Sequence, residues 1–146
     1  MHGAFDQRKP ARGASRDACI ICRAYLSLLV RPKFIGLYRL AVAEISRFPD
    51  LGRTIFEAGA LRAQETISQY LREMARDGKL ELADPFVAAG QFMALTGRDT
   101  ELRALFGIET KISPQEIRRR AKAGADAFLK AYEKTVPLKD LKERKK

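Results

Sequence analysis

Apolar residues recur every three or four positions along most of the chain, which is the period of amphipathic α-helices. No stretch alternates between apolar and polar residues over the length of a convincing β-strand. The segment 32–48 is apolar almost all round, so we expect its helix to be central and mostly enclosed. The pattern predicts an all-α multi-helix bundle, with helices over 16–30, 32–48, 50–77, 85–97 and 114–134 and a short helical turn over 99–106.

Capping residues and glycines indicate where these helices begin and end. Ser15 is expected to cap the first helix, and Asp84, which precedes a proline, to cap the fourth. Gly78 and Gly107 suit the left-handed conformation that follows a helix. Gly59 is expected to bend or divide the long third helix, because glycine weakens a helix interior.

The last helix has the clearest start in the sequence. Ser113, Pro114 and Glu116 match a capping box with proline at the first helical position. We expect the Ser113 hydroxyl to accept a hydrogen bond from the N–H of Glu116, and the Glu116 carboxylate to accept one from the N–H of Ser113. Pro137 is expected to prevent much extension of this helix.

The composition fits one soluble domain. The chain has 146 residues, of which 46% are hydrophobic and 32% charged, so it can bury a sizeable core. The formal net charge is +10, and half of it lies at the two ends. We expect a disordered basic leader over 1–17, a folded body over 18–136 and a basic tail over 137–146. Charge placed in this way favours acidic partners only weakly.

Nothing in the sequence directs the protein into a membrane or out of the cell. Arg23, Arg31 and Arg39 divide the most apolar region into pieces shorter than the roughly 18 residues of a membrane helix. The two cysteines are too few for the disulfide framework of a small secreted domain. We expect a cytoplasmic protein with no membrane partner.

Candidate catalytic and metal-binding residues are sparse. Cys19 and Cys22 have the spacing of a redox or metal-binding motif, but no second ligand pair accompanies them. We interpret both as structural residues that pack as small hydrophobes. The only histidine, His2, lies in the predicted leader, so no nucleophile–histidine pair is expected in a folded site. We predict that the chain is not an enzyme and uses no metal and no cofactor.

The densest basic run within a helix is Arg118, Arg119, Arg120 and Lys122. Such a run can neutralise phosphates. Consecutive residues of a helix, however, point in directions about 100° apart, so the run does not form one stripe. We interpret it as solvated surface, with nucleic-acid contact as the alternative.

Small residues follow one side of each of the two late helices. They let helix backbones approach closely, and each helix has a second apolar side that also needs cover. We expect the small-residue sides to form a homodimer interface, with burial inside one chain as the alternative. The interface candidates are Phe86, Ala89, Gly90, Met93 and Gly97 in one helix and Ile117, Ala121, Gly124 and Phe128 in the other.

Four segments together carry a family resemblance. They are LYRLAVAEISRFPDLGRTIFEAG at 37–59, YLREMARDGKLELADPFVAAGQFMAL at 70–95, LRALFG at 102–107 and SPQEIRRRAKAGADAFLKAYE at 113–133. In this order they resemble the C-terminal regulatory domain of the TetR/AcrR family of transcriptional repressors, in particular its AefR-like branch. The resemblance spans about residues 18–136. It implies an all-α domain that binds a small effector and dimerises through its last two long helices.

The same resemblance implies a three-helix DNA-binding headpiece and a linking helix ahead of this domain. Residues 1–17 match neither of them. We therefore expect a chain without the headpiece, be it a fragment, a mis-started gene product or a truly headless protein. Contact with DNA is expected only through a headpiece that this chain lacks.

The resemblance also implies an effector pocket among the segments 18–30, 32–48, 50–77 and 85–97. Within these segments we choose candidate ligand residues by their chemistry, and we expect an apolar or aromatic effector. The choices are Tyr38, Phe56 and Phe92 as aromatic walls, Tyr70 and Thr96 as polar handles, and Arg62 as the partner of an anion.

Three functional hypotheses follow. The first is the effector-binding, homodimeric domain of a repressor, in which the ligand favours one dimer geometry over another. The second is a headless interaction partner that forms heterodimers with full-length regulators through the same helices. The third and least favoured is a basic nucleic-acid-binding protein, whose affinity would fall steeply with salt.

Overall fold

Residues 13–134, the part of the chain that the computed structural model describes, contain six α-helices. They are α1 (Ala14–Leu29), α2 (Pro32–Glu44), α3 (Pro49–Phe56), α4 (Arg62–Arg76), α5 (Pro85–Leu105) and α6 (Pro114–Tyr132). A π-helical segment, Glu57–Leu61, joins α3 to α4 without a loop, so the chain is divided at Gly59 as expected. The all-α prediction is confirmed. Among these six helices none has the length and apolar character that crossing a membrane requires.

The first helix begins earlier than the sequence predicts. Gly13, with a φ of 95°, precedes it, so Ser15 lies in the first turn and does not cap the helix. Ala14 is completely buried in the core, and residues 14–17 of the predicted leader therefore belong to the folded body. The rest of that leader, with His2, and the predicted tail over 137–146 lie outside the described residues.

α5 continues where the sequence predicts an end. The predicted helix 85–97 and the predicted turn 99–106 form one helix of 21 residues. Gly97 does not end it, because its missing side chain serves packing: a Cβ there would lie 2.5 Å from Leu29 Cδ1 and 2.7 Å from Tyr25 Cε1. The helix ends before Gly107, whose φ is 71°, as predicted.

The caps of α5 and α6 are confirmed, with one correction. Asp84 Oδ1 accepts from the N–H groups two and three residues on, at 2.8 and 3.2 Å. Ser113 Oγ accepts from the N–H of Glu116 at 3.1 Å. The other half of the capping box is wrong, because the Glu116 carboxylate accepts from the guanidinium groups of Arg119 and Arg120 instead.

α2 lies at the edge of the bundle, so the prediction of a central, enclosed helix is wrong. Only Ile35 and Ala41 of this helix are buried. Leu37 and Leu40 are 52% and 56% exposed, because α2 packs through one side alone. The apolar composition of α2 therefore does not indicate how deeply the helix is buried in the bundle.

A guanidinium group attaches α2 to α5. Arg39 Nε and Nη2 donate to the carbonyls of Leu105 and Ala104, each at 2.8 Å. The last carbonyls of a helix have no partner within the helix, and a cation there also interacts favourably with the negative end of the helix dipole. Arg39 thus stabilises the end of α5 from a neighbouring helix.

The core lies where α1, α4, α5 and α6 meet. α5 and α6 run antiparallel, and their rings Phe92 and Phe128 are fully buried, edge to face, with centroids 5.1 Å apart. Gly124 lies against Thr96, and a Cβ on Gly124 would be 3.0 Å from the Thr96 Cα. The two backbones are therefore as close as glycine allows.

Candidate functional site

An open cleft of about 530 Å³ lies between α1 and the chain that runs from the π-helical segment into α4. Its volume falls within the roughly 300–1,000 Å³ of pockets that bind small molecules. Most of the lining is apolar. The lining residues of this α1–α4 cleft are Ile20, Ile21, Ala24, Tyr25 and Leu28 of α1, Phe34 of α2, Ala58 and Gly59 of the π-helical segment, and Arg62, Ala63, Thr66, Ile67 and Tyr70 of α4.

Helical spacing explains why these side chains share the cleft. Residues three and four apart lie on one side of a helix, as Ala63, Ile67 and Tyr70 do on α4. On α1, Ile20, Ala24 and Leu28 of the lining are four apart. The cleft is therefore a groove between two helical sides that face each other.

Arg62 places a positive charge in the lining of the α1–α4 cleft. Its guanidinium forms no ion pair with any carboxylate of residues 13–134. The nearby Thr66 hydroxyl is occupied, because it donates to the Arg62 carbonyl at 2.9 Å. Arg62 thus remains available to an anion that enters the cleft.

Tyr25 supplies a neutral polar group in the same lining. Burial raises the pKa of its hydroxyl, and the neighbouring Glu101 and Tyr38 raise it further. Burial also raises the pKa of Glu101. The Tyr25 hydroxyl therefore stays protonated at neutral pH and can donate a hydrogen bond.

The groove becomes acidic toward the far end of α4. A smaller cavity of about 200 Å³ continues from the cleft there and includes Asp17, Glu73, Asp77 and Lys79. Lys79 Nζ donates to Asp17 Oδ2 at 2.7 Å and lies 3.7 Å from Asp77 Oδ2. The hydrogen bond that Lys79 donates to Asp17 raises the pKa of Lys79. Arg62 and Glu73 are about 16 Å apart along the α4 axis at 1.5 Å per residue, so the groove has a basic end and an acidic end.

Two of the six predicted ligand residues, Arg62 and Tyr70, line the α1–α4 cleft. Tyr38 is not part of the lining, although its ring is stacked on that of Phe34, a lining residue, at a centroid distance of 5.7 Å. Phe56 is half exposed and is not part of the lining. Phe34 therefore takes the place that the sequence analysis assigns to Tyr38.

The other two predicted ligand residues lie in the core. Phe92 packs on Phe128, and the Thr96 hydroxyl forms a hydrogen bond with the Cys22 thiol at 3.3 Å. Both are on α5, which contributes nothing to the cleft, so the segment 85–97 is not a wall of it. Burial raises the pKa of the Cys22 thiol to about 12, which supports a structural role for this cysteine.

The segment 18–30 is expected among the pocket walls, and α1 does line the cleft, but the sequence analysis chooses no ligand residue from that segment. The signal was present, because Ile20, Ala24 and Leu28 form an apolar stripe beside the buried stripe that contains Cys22 and Leu26. A helix with two apolar sides needs a packing partner on each of them. The π-helical segment has no comparable signal apart from its glycine.

The predicted dimer stripes divide into two groups. One group is buried within the single chain, which corrects its assignment to an interface because these residues fill the space between α1, α5 and α6. Its members are Ala89, Gly97, Ala121, Gly124 and Phe128. The other group is partly accessible and consists of Phe86, Gly90, Met93 and Ile117.

The basic run of α6 is largely paired. Arg119 and Arg120 donate to Glu116 at 2.6 to 2.8 Å, and Lys122 donates to Asp126 at 2.6 Å. Cations already held by carboxylates are poorly placed to neutralise phosphates. The contacts support the interpretation as surface and do not favour nucleic-acid binding.

Comparisons with known proteins identify the fold as that of a regulatory domain. The family model described as the AefR-like transcriptional repressor C-terminal domain matches residues 20–134. A structure described as a TetR-family transcriptional regulator from Mesorhizobium loti MAFF303099 has a TM-score of 0.79 and 25% identity, covering 85% of this chain and 61% of that one. The flavonoid-responsive regulator FrrA has a TM-score of 0.75 and 29% identity, covering 85% and 63%.

This chain spans less than two thirds of the length of either structure. No curated protein sequence matches it. The family match nevertheless includes every helix of the bundle except the first turns of α1, and both structural neighbours are regulators of one family. The chain belongs to the family of AefR-like transcriptional repressor C-terminal domains, the regulatory domains of TetR-family regulators.

Proposed function

We propose that this domain binds a small aromatic effector that carries an anionic group, and that it forms a homodimer. The α1–α4 cleft carries the proposal, because it combines the volume of a ligand pocket with apolar walls and a cation, Arg62, that has no ion pair among residues 13–134. In this proposal the protein acts in the cytoplasm, beside the DNA that a repressor controls. Contact with DNA is made by a headpiece outside this domain.

The charges along the groove support an anionic effector and suggest its orientation. Carboxylates at the acidic end repel an anion, whereas Arg62 attracts it at the basic end. The structural neighbour FrrA is flavonoid-responsive by name, and an aromatic ligand of that kind would suit the apolar walls.

Anilinonaphthalene sulfonate (ANS), an aromatic anion that fluoresces in apolar surroundings, is a suitable probe. We expect saturable binding by the purified chain, and about tenfold weaker binding by Arg62→Gln, because a charge-assisted contact is lost. Arg72→Gln is the matched control, since this exposed arginine of α4 is not in the lining. Equal affinities for Arg62→Gln and the wild-type chain would contradict the role of Arg62, and an absence of saturable binding would contradict the cleft itself.

The proposed dimer surface is the accessible side of α5 and α6. Val87 and Leu95 of α5 are each 51% exposed, and they lie eight residues, or about two turns, apart. Ala123 and Ala127 of α6 are also exposed and small enough for another helix to approach closely. This surface replaces the buried residues that the sequence analysis assigns to the interface.

Light scattering at micromolar concentration tests the dimer. We expect twice the 16.4 kDa mass of one chain, and a monomer for Leu95→Arg, because the change places a charge in an apolar interface. Leu37→Arg is the control, because Leu37 of α2 is 52% exposed but lies elsewhere. A monomeric wild-type chain, or a Leu95→Arg variant that is still dimeric, would contradict the proposed surface.

A further inference from the structure

We propose that Gly59 of the π-helical segment is a ring-binding subsite of the α1–α4 cleft and limits the size of the effector. The inference rests on the proposed function of the cleft. It names the effector class more closely as a flat aromatic acid whose ring lies against the backbone at Gly59.

The backbone conformation does not require glycine at this position. The glycines with positive φ are Gly13, Gly78 and Gly107, so Gly59 has a conformation that any residue can adopt. Glycine is also a poorer helix former than alanine. A residue with a side chain would therefore suit the local structure at least as well.

Packing within the chain does not require glycine there either. A Cβ on Gly124 would meet the Thr96 backbone at 3.0 Å, and one on Gly90 would meet Gln64 Nε2 at 3.0 Å. A Cβ on Gly59 would meet no atom within 4 Å. Gly59 is itself a lining residue of the cleft, so a side chain at this position has open space beside the cleft.

The surroundings of Gly59 suit a flat ring. Its neighbours in the lining, Ala58 and Ala63, are small, and Ala24 of α1 also belongs to the lining. A π-helical turn is uncommon and occurs often at functional sites. The lining therefore provides a slot with few side chains to obstruct a ring.

Arg62 lies three residues after Gly59 and lines the same cleft. An anionic group attached directly to the ring, or one or two bonds away from it, would therefore reach the guanidinium. A long flexible acid would instead extend toward the carboxylates near Glu73. This geometry favours an aromatic acid over a fatty acid.

Substitution of two matched glycines tests the subsite with ANS as the probe. Gly36 of α2 also has no atom within 4 Å of an added Cβ, but it is not part of the lining. We expect Gly59→Leu to weaken ANS binding about tenfold or more, because the new side chain fills the slot. Gly36→Leu should bind as tightly as the wild-type chain, and circular dichroism checks that both variants are folded.

Gly59→Ala keeps the test decisive if Gly59→Leu does not fold, because it adds only one methyl group to a helical position. We expect it to bind ANS more weakly than the wild-type chain and less weakly than a folded Gly59→Leu. If the wild-type chain binds ANS and both Gly59 variants bind it equally well, the subsite is wrong while the proposed cleft stands. If the wild-type chain shows no saturable binding, the proposed cleft fails, and the subsite fails with it.

Discussion

α1 has two long sides, and its neighbours pack against them in opposite ways. Toward α5 and α6, glycines bring the backbones together: an added Cβ on Gly97 would lie 2.5 Å from Leu29 Cδ1 of α1. Toward α4 and the π-helical segment, an added Cβ on Gly59 would meet nothing within 4 Å, and a cleft of about 530 Å³ remains. Glycine therefore allows close packing on the side of α1 that faces α5 and α6, and it leaves open space on the side that faces α4.

This difference separates stability from ligand binding within one small domain. The tightly packed side contains the fully buried rings Phe92 and Phe128, whose burial stabilises the fold. The open side contains half-exposed residues such as Tyr70, whose contacts contribute little to the fold. Regions with few buried contacts are the ones that open and adapt most easily. A ligand can therefore enter on the open side without disturbing the core.

The largest effect is expected from truncation of a ring on the packed side. Phe128→Ala should lower the free energy of unfolding by about 3–5 kcal/mol, because it leaves a cavity against Phe92. Tyr70→Ala on the cleft side should lower it by less than about 1 kcal/mol. Urea denaturation measures both, and similar losses for the two variants would remove the distinction between the sides.

A methyl group added to the two kinds of glycine should give effects of opposite sign. Gly124→Ala should destabilise the chain by about 1–3 kcal/mol, because the Thr96 backbone, 3.0 Å away, cannot move aside easily. Gly59→Ala should stabilise it by about 0.5–1 kcal/mol through helix propensity. Thermal unfolding measures the change in stability of each variant. Gly36→Ala is also expected to raise the stability, because an added Cβ there would meet no atom within 4 Å. A loss at Gly59 would show that the π-helical segment depends on its glycine.

The attachment of α2 to α5 should have a smaller effect. Arg39→Gln removes two hydrogen bonds to the last turn of α5 and should cost about 1 kcal/mol. Arg53→Gln, on the exposed side of α3, serves as the control and should be neutral. Hydrogen exchange should show faster opening at Ala104 and Leu105 in the first variant only. Unchanged exchange there would mean that α5 ends stably without Arg39.

The smallest effect concerns pH and the start of α6. Hydrogen bonds from Arg119 and then Arg120 lower the pKa of Glu116 from 4.5 to about 2. Because the pKa is lower in the folded chain, this stabilisation is present above pH 4.5 and is lost as the pH falls toward 2. Glu116→Gln should flatten this part of the stability profile. An equally steep acid profile in the variant would assign the pH dependence to other carboxylates.

The sequence predicts the features of the fold that depend on neighbouring residues. Asp84 and Ser113 cap helices, and Gly78 and Gly107 follow them, because each of these roles is decided within a few residues. Gly97 is different, because it lies within a helix and does not end one. The reason is its close packing against Leu29 and Tyr25, which are distant in the sequence. The depth of α2 is likewise decided by partners far away in the sequence.

The candidate site is harder to predict for the same reason. Arg62 and Tyr70, chosen by their chemistry, line the cleft, whereas Phe92 and Thr96 have suitable chemistry but lie on a helix that faces the core. The segment 18–30 is expected to be part of the pocket, but the α1 residues that line the cleft can be chosen only when the core side of that helix is known. The π-helical turn at Gly59 leaves no periodic pattern, so its place in the cleft emerges only from the structure.

Backbone amide NMR spectra recorded during a titration with ANS test the central claim most directly. The cleft predicts that shifts concentrate on α1 from Ile20 to Leu28 and on the chain from Ala58 to Tyr70. Within one spectrum the amide of Gly59 should move, while that of Gly124, buried between α5 and α6, should not. Shifts confined to α5 and α6, or a Gly59 signal that does not change at saturation, would contradict a ligand site between α1 and α4.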